Sequence, residues 1–336
     1  MSLSRCVEFF LRKKMDILTK TINQMFVVFV LIAIGYVLKK RNIVDDRAHA
    51  NLSRMELFVF APALNLASQI ENCNVQTLKD NAVLIIYGIS LAFAAALVAG
   101  PVSKLFVRNH KAHRDNAYAR NIYRYALTFA NYGFLGNFLI KEVWGLEMLF
   151  KYSMFTFGMA IFSNSWGLYI LIPKDRNQSV LKNIQKGVLS PPVIALVIGM
   201  IIGLLNLGQY IPPFMNTVID NASNCMGPIA MLLAGMVIGN YELKGLFDNI
   251  KVYIITAMRL IIIPALMIIV LKLFGVSGDI IVLSLVAFAC PIGLNTIVFP
   301  AAYEGDTKMG ASMVLISSFL AVITIPLMYW VFVILL

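Results

Sequence analysis

Residues 280–303 read Ile280-Ile281-Val282-Leu283-Ser284-Leu285-Val286-Ala287-Phe288-Ala289-Cys290-Pro291-Ile292-Gly293-Leu294-Asn295-Thr296-Ile297-Val298-Phe299-Pro300-Ala301-Ala302-Tyr303. The stretch holds no Asp, Glu, Lys or Arg, and it exceeds the roughly 20 residues with which a helix crosses a ~30 Å hydrocarbon core. Yet Pro291 and Gly293 stand at its centre. Proline removes a backbone donor and glycine lowers helix stability. A helix broken in lipid exposes polar groups at several kcal/mol each, unless the break lines a cavity or is buried in protein. This stretch therefore implies a membrane span and a polar site at mid-depth.

The same composition extends outward. Thr21–Leu38, Asn81–Ser103, Tyr152–Pro173, Gly187–Ile219 and Met309–Leu336 also lack charged side chains. Of 336 residues, 60% are hydrophobic and 13% charged, too few charges for the surface of a soluble domain. The pattern predicts an all-α integral membrane protein of ten transmembrane helices, at about 17–38, 47–71, 81–106, 117–140, 147–172, 182–205, 214–239, 247–272, 279–302 and 309–335. Arg5, Arg12, Lys13 and Lys14 precede Met15-Asp16-Ile17-Leu18, which reads as a natural start, so residues 1–16 are expected to be an N-terminal extension. No small-residue cleavage site follows Val37, so the first helix is expected to be retained.

The net charge of +11 does not point to nucleic acid. The basic residues lie in short loops between apolar runs rather than on one amphipathic face. Loops after odd-numbered helices carry 17 Lys/Arg against 9 on the other side. By the positive-inside rule these loops are cytoplasmic, with both termini outside and the cytoplasmic (plasma) membrane as the location.

The two halves of the chain resemble each other. Pro62-Ala63-Leu64 in helix two corresponds to Pro228-Ile229-Ala230 in helix seven, and Asn131-Tyr132-Gly133 in helix four to Pro291-Ile292-Gly293 in helix nine. An offset of five helices gives repeats over 17–173 and 181–336. An odd number of spans inverts the second copy, a plan common in secondary transporters.

Helices four and nine are the candidate site. Asn131, Gly133, Gly136 and Asn137 interrupt the first, and Pro291, Gly293, Asn295 and Thr296 the second. The glycines and proline make the breaks. The half-helix beyond each break presents free N–H groups and a positive dipole end that suit a carboxylate. The amides and hydroxyl would complete a neutral cradle. The competing account is a pair of kinked helices held by small-residue packing; matching positions in both halves favour the site.

Other residues have plainer explanations. Arg54 and Arg259 are expected to snorkel to the inner face, with Glu56 beside Arg54. Asn65, Ser68, Gln69, Asn221, Ser223 and Asn224 suit either an outer vestibule or capping. Ser163-Asn164-Ser165 and Ser317-Ser318 either face the crossing or bond between helices. His110-x-x-His113 lacks a third ligand and reads as a basic loop. Cys73 and Cys225 read as two buried thiols rather than a disulfide. Gly278-Asp279 and Gly305-Asp306 lie at helix ends, unlike a catalytic pair at one depth. No nucleophile motif, metal motif or phosphate loop is present, so neither an enzyme nor a cofactor is expected.

Asn131-Tyr132-Gly133-Phe134-Leu135-Gly136 and Cys290-Pro291-Ile292-Gly293-Leu294-Asn295-Thr296, the latter followed by Tyr303-Glu304-Gly305-Asp306, resemble the crossing helices of the auxin efflux carrier family of membrane transport proteins. Ile34-Gly35-Tyr36, Leu52-Ser53-Arg54, Pro228-Ile229-Ala230-Met231 and Arg259 through Pro264 resemble it too, so the match runs from about Met15 to the C-terminus. The resemblance implies a scaffold of helices one, two, six and seven. It implies a transport domain of helices three to five and eight to ten, which shifts like an elevator with substrate at the crossing. It also implies small organic anions such as malate, malonate or an auxin-like acid. This chain has Asn137-Phe138 where the family usually has proline, and lacks the long loop between helices five and six, as a short bacterial-type member would. The rival readings are a sodium-coupled carrier resembling the bile-acid symporters and a non-transporting membrane receptor. Proton and sodium coupling both stay open, and the apolar scaffold permits a homodimer.

Overall fold

The structure is a computed structural model and describes residues 3–45, 47–107, 114–171, 185, 188–302 and 307–335. Its first half comprises α1 (Leu3–Lys40), α2 (Ala48–Met55), α3 (Ala61–Asn72), α4 (Val75–Asn81), α5 (Val83–Phe106), α6 (Arg114–Thr128), α7 (Asn137–Phe162) and α8 (Leu168–Leu171). Its second half comprises α9 (Pro191–Leu204), α10 (Pro213–Gly239), α11 (Leu243–Phe247), α12 (Ile250–Ala257), α13 (Ile263–Leu273), α14 (Asp279–Ala289), α15 (Asn295–Ala302) and α16 (Lys308–Tyr329). Among the described residues the one β-type pairing is an antiparallel bridge between Ala130 and Ile292.

Six of the expected spans are helices long and apolar enough to cross a membrane: Lys14–Lys40, Val75–Phe106, Tyr132–Leu171, Pro213–Gly239, Ile250–Leu273 and Lys308–Leu335. The other four are shorter or interrupted. α9 has 14 residues, the second expected helix is divided by a wide turn at Glu56–Phe60, and the fourth and ninth are broken at their centres. The expected fourth and fifth helices meet at Gly145, whose φ of 84° is open to glycine and strained for other residues.

Proline explains two of the wide turns. Pro62 follows Glu56–Phe60, and Pro264 follows Met258–Ile262. Neither can donate to the carbonyl four residues back, and an i→i+5 turn accommodates the missing bond without ending the helix.

Helices meet where glycine allows their backbones to touch. A Cβ on Gly35 of α1 would lie 2.1 Å from the Leu232 carbonyl oxygen of α10, and one on Gly235 of α10 would lie 2.0 Å from that of Ile32. α3 packs along both α9 and α10. With no hydrophobic drive between helices in lipid, such close contact is what holds them. Phe26, Val30 and Val37 of α1 and Ile86, Phe93 and Leu97 of α5 point outward and exposed. Apolar faces this large belong against lipid. The chain is a multi-pass membrane protein.

Candidate substrate site

The two broken helices meet. α6 ends at Thr128 and α14 at Ala289, and the extended segments that follow run antiparallel. The Asn131 N–H donates to the Pro291 carbonyl at 2.7 Å. The Ile292 N–H donates to Ser317 Oγ of α16 at 3.0 Å. Gly293 packs closely here, where a Cβ on it would lie 3.1 Å from the Ala130 carbonyl oxygen. Phe129, Cys290 and Ile292 are fully buried, so the crossing is sealed in protein. The chain then re-enters helix at Tyr132 and at Asn295. The first N–H groups after such a break have no acceptor within their own helix.

A cavity of about 260 Å³ opens against this crossing. Asn131, Gly133, Asn137, Gly293 and Asn295 line it, joined by Asn65 of α3, Asn164 of the Ser163–Gly167 turn, and Ser153 and Thr156 of α7. None of its lining residues is Asp, Glu, Lys or Arg. Leu57, Phe134, Phe157, Leu196, Met226 and Leu233 supply apolar walls.

The remaining predicted residues lie behind the surface. Gly136 is buried, and its missing side chain makes room for the Tyr152 hydroxyl, which donates to the Tyr132 carbonyl at 3.1 Å. Pro291 supplies the carbonyl that Asn131 binds. Thr296 is fully buried and turns its hydroxyl back onto the Gly293 carbonyl at 2.8 Å.

Sequence reasoning missed Ser153, Thr156 and Tyr125. Ser153, Thr156, Phe157, Ala160 and Asn164 all line the cavity, at spacings of three and four that mark one helical face. That stripe was available as a signal. Tyr125 gave none. It is fully buried, and its hydroxyl accepts from Asn295 Nδ2 at 3.1 Å and pairs with Ser163 Oγ at 2.7 Å.

Two expectations require correction. Arg259 does not snorkel: it is fully buried, donates Nη1 to the Leu127 carbonyl at 3.2 Å, and lies 5.5 Å from the Phe288 ring. Leu127 is in the last turn of α6, where carbonyls lack donors and a cation offsets the negative helix end. Cys225 is exposed rather than buried, and neither it nor Cys73 forms a disulfide. Position explains the exposure, since Cys225 shares the outward side of α10 with the exposed Asn224. His110, His113, the Lys174–Lys182 loop and Tyr303-Glu304-Gly305-Asp306 lie outside the described residues. Asp279 is paired with Lys151 at 2.6 Å.

One turn beyond the lining residue Asn137, α7 is tied to α10. Lys141 Nζ of α7 donates to Ser223 Oγ at 2.9 Å and to Asn224 Oδ1 at 2.8 Å, both on α10. Beneath them the Phe138 ring fills the space left by Gly227, where a Cβ would lie 1.8 Å from the ring. The lining also includes Pro192 at the start of α9 and Asn164 of the turn after α7.

Residues 20–183 and 176–329 match the family described as membrane transport protein. The chain belongs to that family, the one that contains the auxin efflux carriers. Its similar proteins include an uncharacterized transporter of Methanocaldococcus jannaschii, 24% identical over 91% of this chain and 96% of that one. Another is an uncharacterized transporter of Methanothermobacter thermautotrophicus, 20% identical over 89% of this chain and 94% of that one. In this membrane transport protein the cavity at the crossing is the candidate place for the transported molecule.

Proposed function

We propose that this membrane transport protein is a secondary carrier that moves a small carboxylate across the cytoplasmic membrane by alternating access. The observation that carries the reading is the crossing itself. Two helices broken at matching points bond to each other and line one neutral, asparagine-rich cavity. Asn131, Asn137 and Asn295 would bind the substrate directly, together with the N–H groups freed at Tyr132 and Gly133. Gly136, Pro291, Gly293 and Thr296 would shape the backbone that presents them. A cavity of about 260 Å³ accommodates an acid of a few carbons.

The mechanism we favour is an elevator in a ten-helix fold of two inverted five-helix repeats. The close pairing of α1 with α10 and of α3 with α9 supports a fixed scaffold. The other helices would carry the crossing past it. With basic loops inside, the cavity in this conformation faces the cytoplasm, and the Lys141 and Phe138 contacts form its outer closure.

The test is uptake of labelled malate, malonate and indole-3-acetate into proteoliposomes, with and without sodium and pH gradients. Saturable flux is expected, and its gradient dependence identifies the coupling ion. Asn131→Ala and Asn295→Ala should insert normally and transport at least tenfold more slowly. Wild-type rates in both would refute the site.

A further inference from the structure

We infer that the carried molecule is a carboxylate that also bears a hydrogen-bond donor, a hydroxy or amino acid rather than a plain dicarboxylate. This rests on the carboxylate reading above and concerns the polarity of the cavity wall. Five asparagines line the cavity: Asn65, Asn131, Asn137, Asn164 and Asn295. Three of them have committed their amide nitrogens to the protein. Asn65 Nδ2 donates to the Pro192 carbonyl at 2.8 Å, Asn164 Nδ2 to the Ala160 carbonyl at 2.9 Å, and Asn295 Nδ2 to the Tyr125 hydroxyl at 3.1 Å.

A backbone carbonyl only accepts. Turning over the amide of Asn65 or Asn164 would therefore set oxygen against oxygen, and their orientation is fixed. Each presents an Oδ1 that meets no donor among the described residues. These oxygens come from separate elements, α3 and the turn after α7; Asn295 meets a hydroxyl that can donate as well as accept, so its amide is not fixed in this way. Asn131 and Asn137 line the same cavity, and the Asn137 Oδ1 is buried and meets no donor among the described residues. The cavity thus offers fixed acceptors on its wall beside the amides of the crossing.

Fully ionised succinate has only acceptors and leaves those oxygens bare. Malate adds one hydroxyl. One matched hydrogen bond of about 0.5–1.5 kcal/mol corresponds to roughly 2- to 12-fold, and more where the unmatched partner is buried.

The experiment measures kcat/KM in proteoliposomes for malate and succinate, and for lactate, alanine and propionate. Malate should exceed succinate about tenfold, and lactate or alanine should exceed propionate similarly. The stronger of lactate and alanine shows whether the donor is a hydroxyl or an ammonium. In Asn65→Ala and Asn164→Ala the malate-to-succinate ratio should fall toward one, because malate loses more than succinate. Ratios near one in the wild type would overturn the inference while leaving the carboxylate reading standing. Variants that slow both acids equally would also count against it, since a merely structural role predicts that pattern. If none of the five acids moves, the carboxylate reading fails and this inference fails with it.

Discussion

Replacing Gly136 by alanine tests whether the crossing is held as described. A Cβ at this position would lie 2.1 Å from the Tyr152 hydroxyl oxygen and 3.0 Å from ring carbon Cζ, whereas relaxed contacts lie at roughly 3.5 Å. The hydroxyl must retreat by more than an ångström, and the Tyr152 ring is fully buried, so it cannot swing clear. Its hydrogen bond to the Tyr132 carbonyl is then lost. That carbonyl keeps the Asn137 backbone N–H, so the lost bond costs about 0.5–1.5 kcal/mol, and forcing a methyl into a packed interior costs about 1–3 kcal/mol. The better helix propensity of alanine returns about 1 kcal/mol, for a net loss near 2 kcal/mol. Tyr152→Phe breaks the same hydrogen bond but removes the obstructing atom, at about 0.5–1.5 kcal/mol. The double variant should therefore be more stable than the two single losses added together, by about 1–3 kcal/mol. Denaturant unfolding in detergent micelles, followed by tryptophan fluorescence, measures all four corners of the cycle. Strict additivity, or a Gly136→Ala protein as stable as wild type, would refute the packing argument.

Lys141→Met removes both hydrogen bonds of the proposed outer closure. A loss of about 1.4 kcal/mol shifts a two-state opening equilibrium roughly tenfold. A cysteine at position 137, with Cys225→Ser as background, should then react about that much faster with an impermeant thiol reagent applied from the Ser223 side. Unchanged labelling would deny Lys141 a closing role. Arg259→Met should lower unfolding stability by about 1–3 kcal/mol, because it strips the Leu127 carbonyl of its donor; a stabilised variant would show that burying the charge outweighs that bond. Asp279→Asn should cost under about 1 kcal/mol, and the difference should vanish in high salt, because the pair with Lys151 is partly exposed; a larger or salt-insensitive loss would contradict this.

The class of the protein was legible because lipid dictates it through runs of uncharged residues that local sequence shows directly. The breaks were legible for the same reason: Pro291, Gly293, Gly133 and Gly136 are local signals of backbone failure. What escaped was the division of labour among the residues around them. Gly136 and Thr296 look like cavity residues in the sequence but face the protein, and that depends on where Tyr152 and Gly310 press from other helices. Arg259 was misread because depth along a helix does not reveal which face is covered. Asn65 had been weighed between an outer vestibule and capping, and Asn164 between facing the crossing and bonding between helices. Their convergence on one cavity comes from the packing of α3 and α7 around the crossing, which no local pattern encodes.

The energetics of the crossing explain why its residues divide in this way. Breaking two helices away from water leaves N–H and C=O groups that each cost several kcal/mol if bare. On the buried side each group whose partner is identified is matched from elsewhere in the fold. Pro291 is met by Asn131, Ile292 by Ser317, Tyr132 by Tyr152 and Leu127 by Arg259. Those partners are construction: the Asn131 bond is made by its backbone, and replacing Ser317, Tyr152 or Arg259 should damage folding before transport. On the open side no partner is identified among the described residues for the N–H groups after the break, the Oδ1 of Asn137, or the Oδ1 atoms of Asn65 and Asn164. A ligand that completes that set need carry no charge opposite to a fixed ion, since the cavity has none. Because no ion pair has to be broken before release, a carrier built this way could bind the proposed carboxylate through many moderate hydrogen bonds and still let it go.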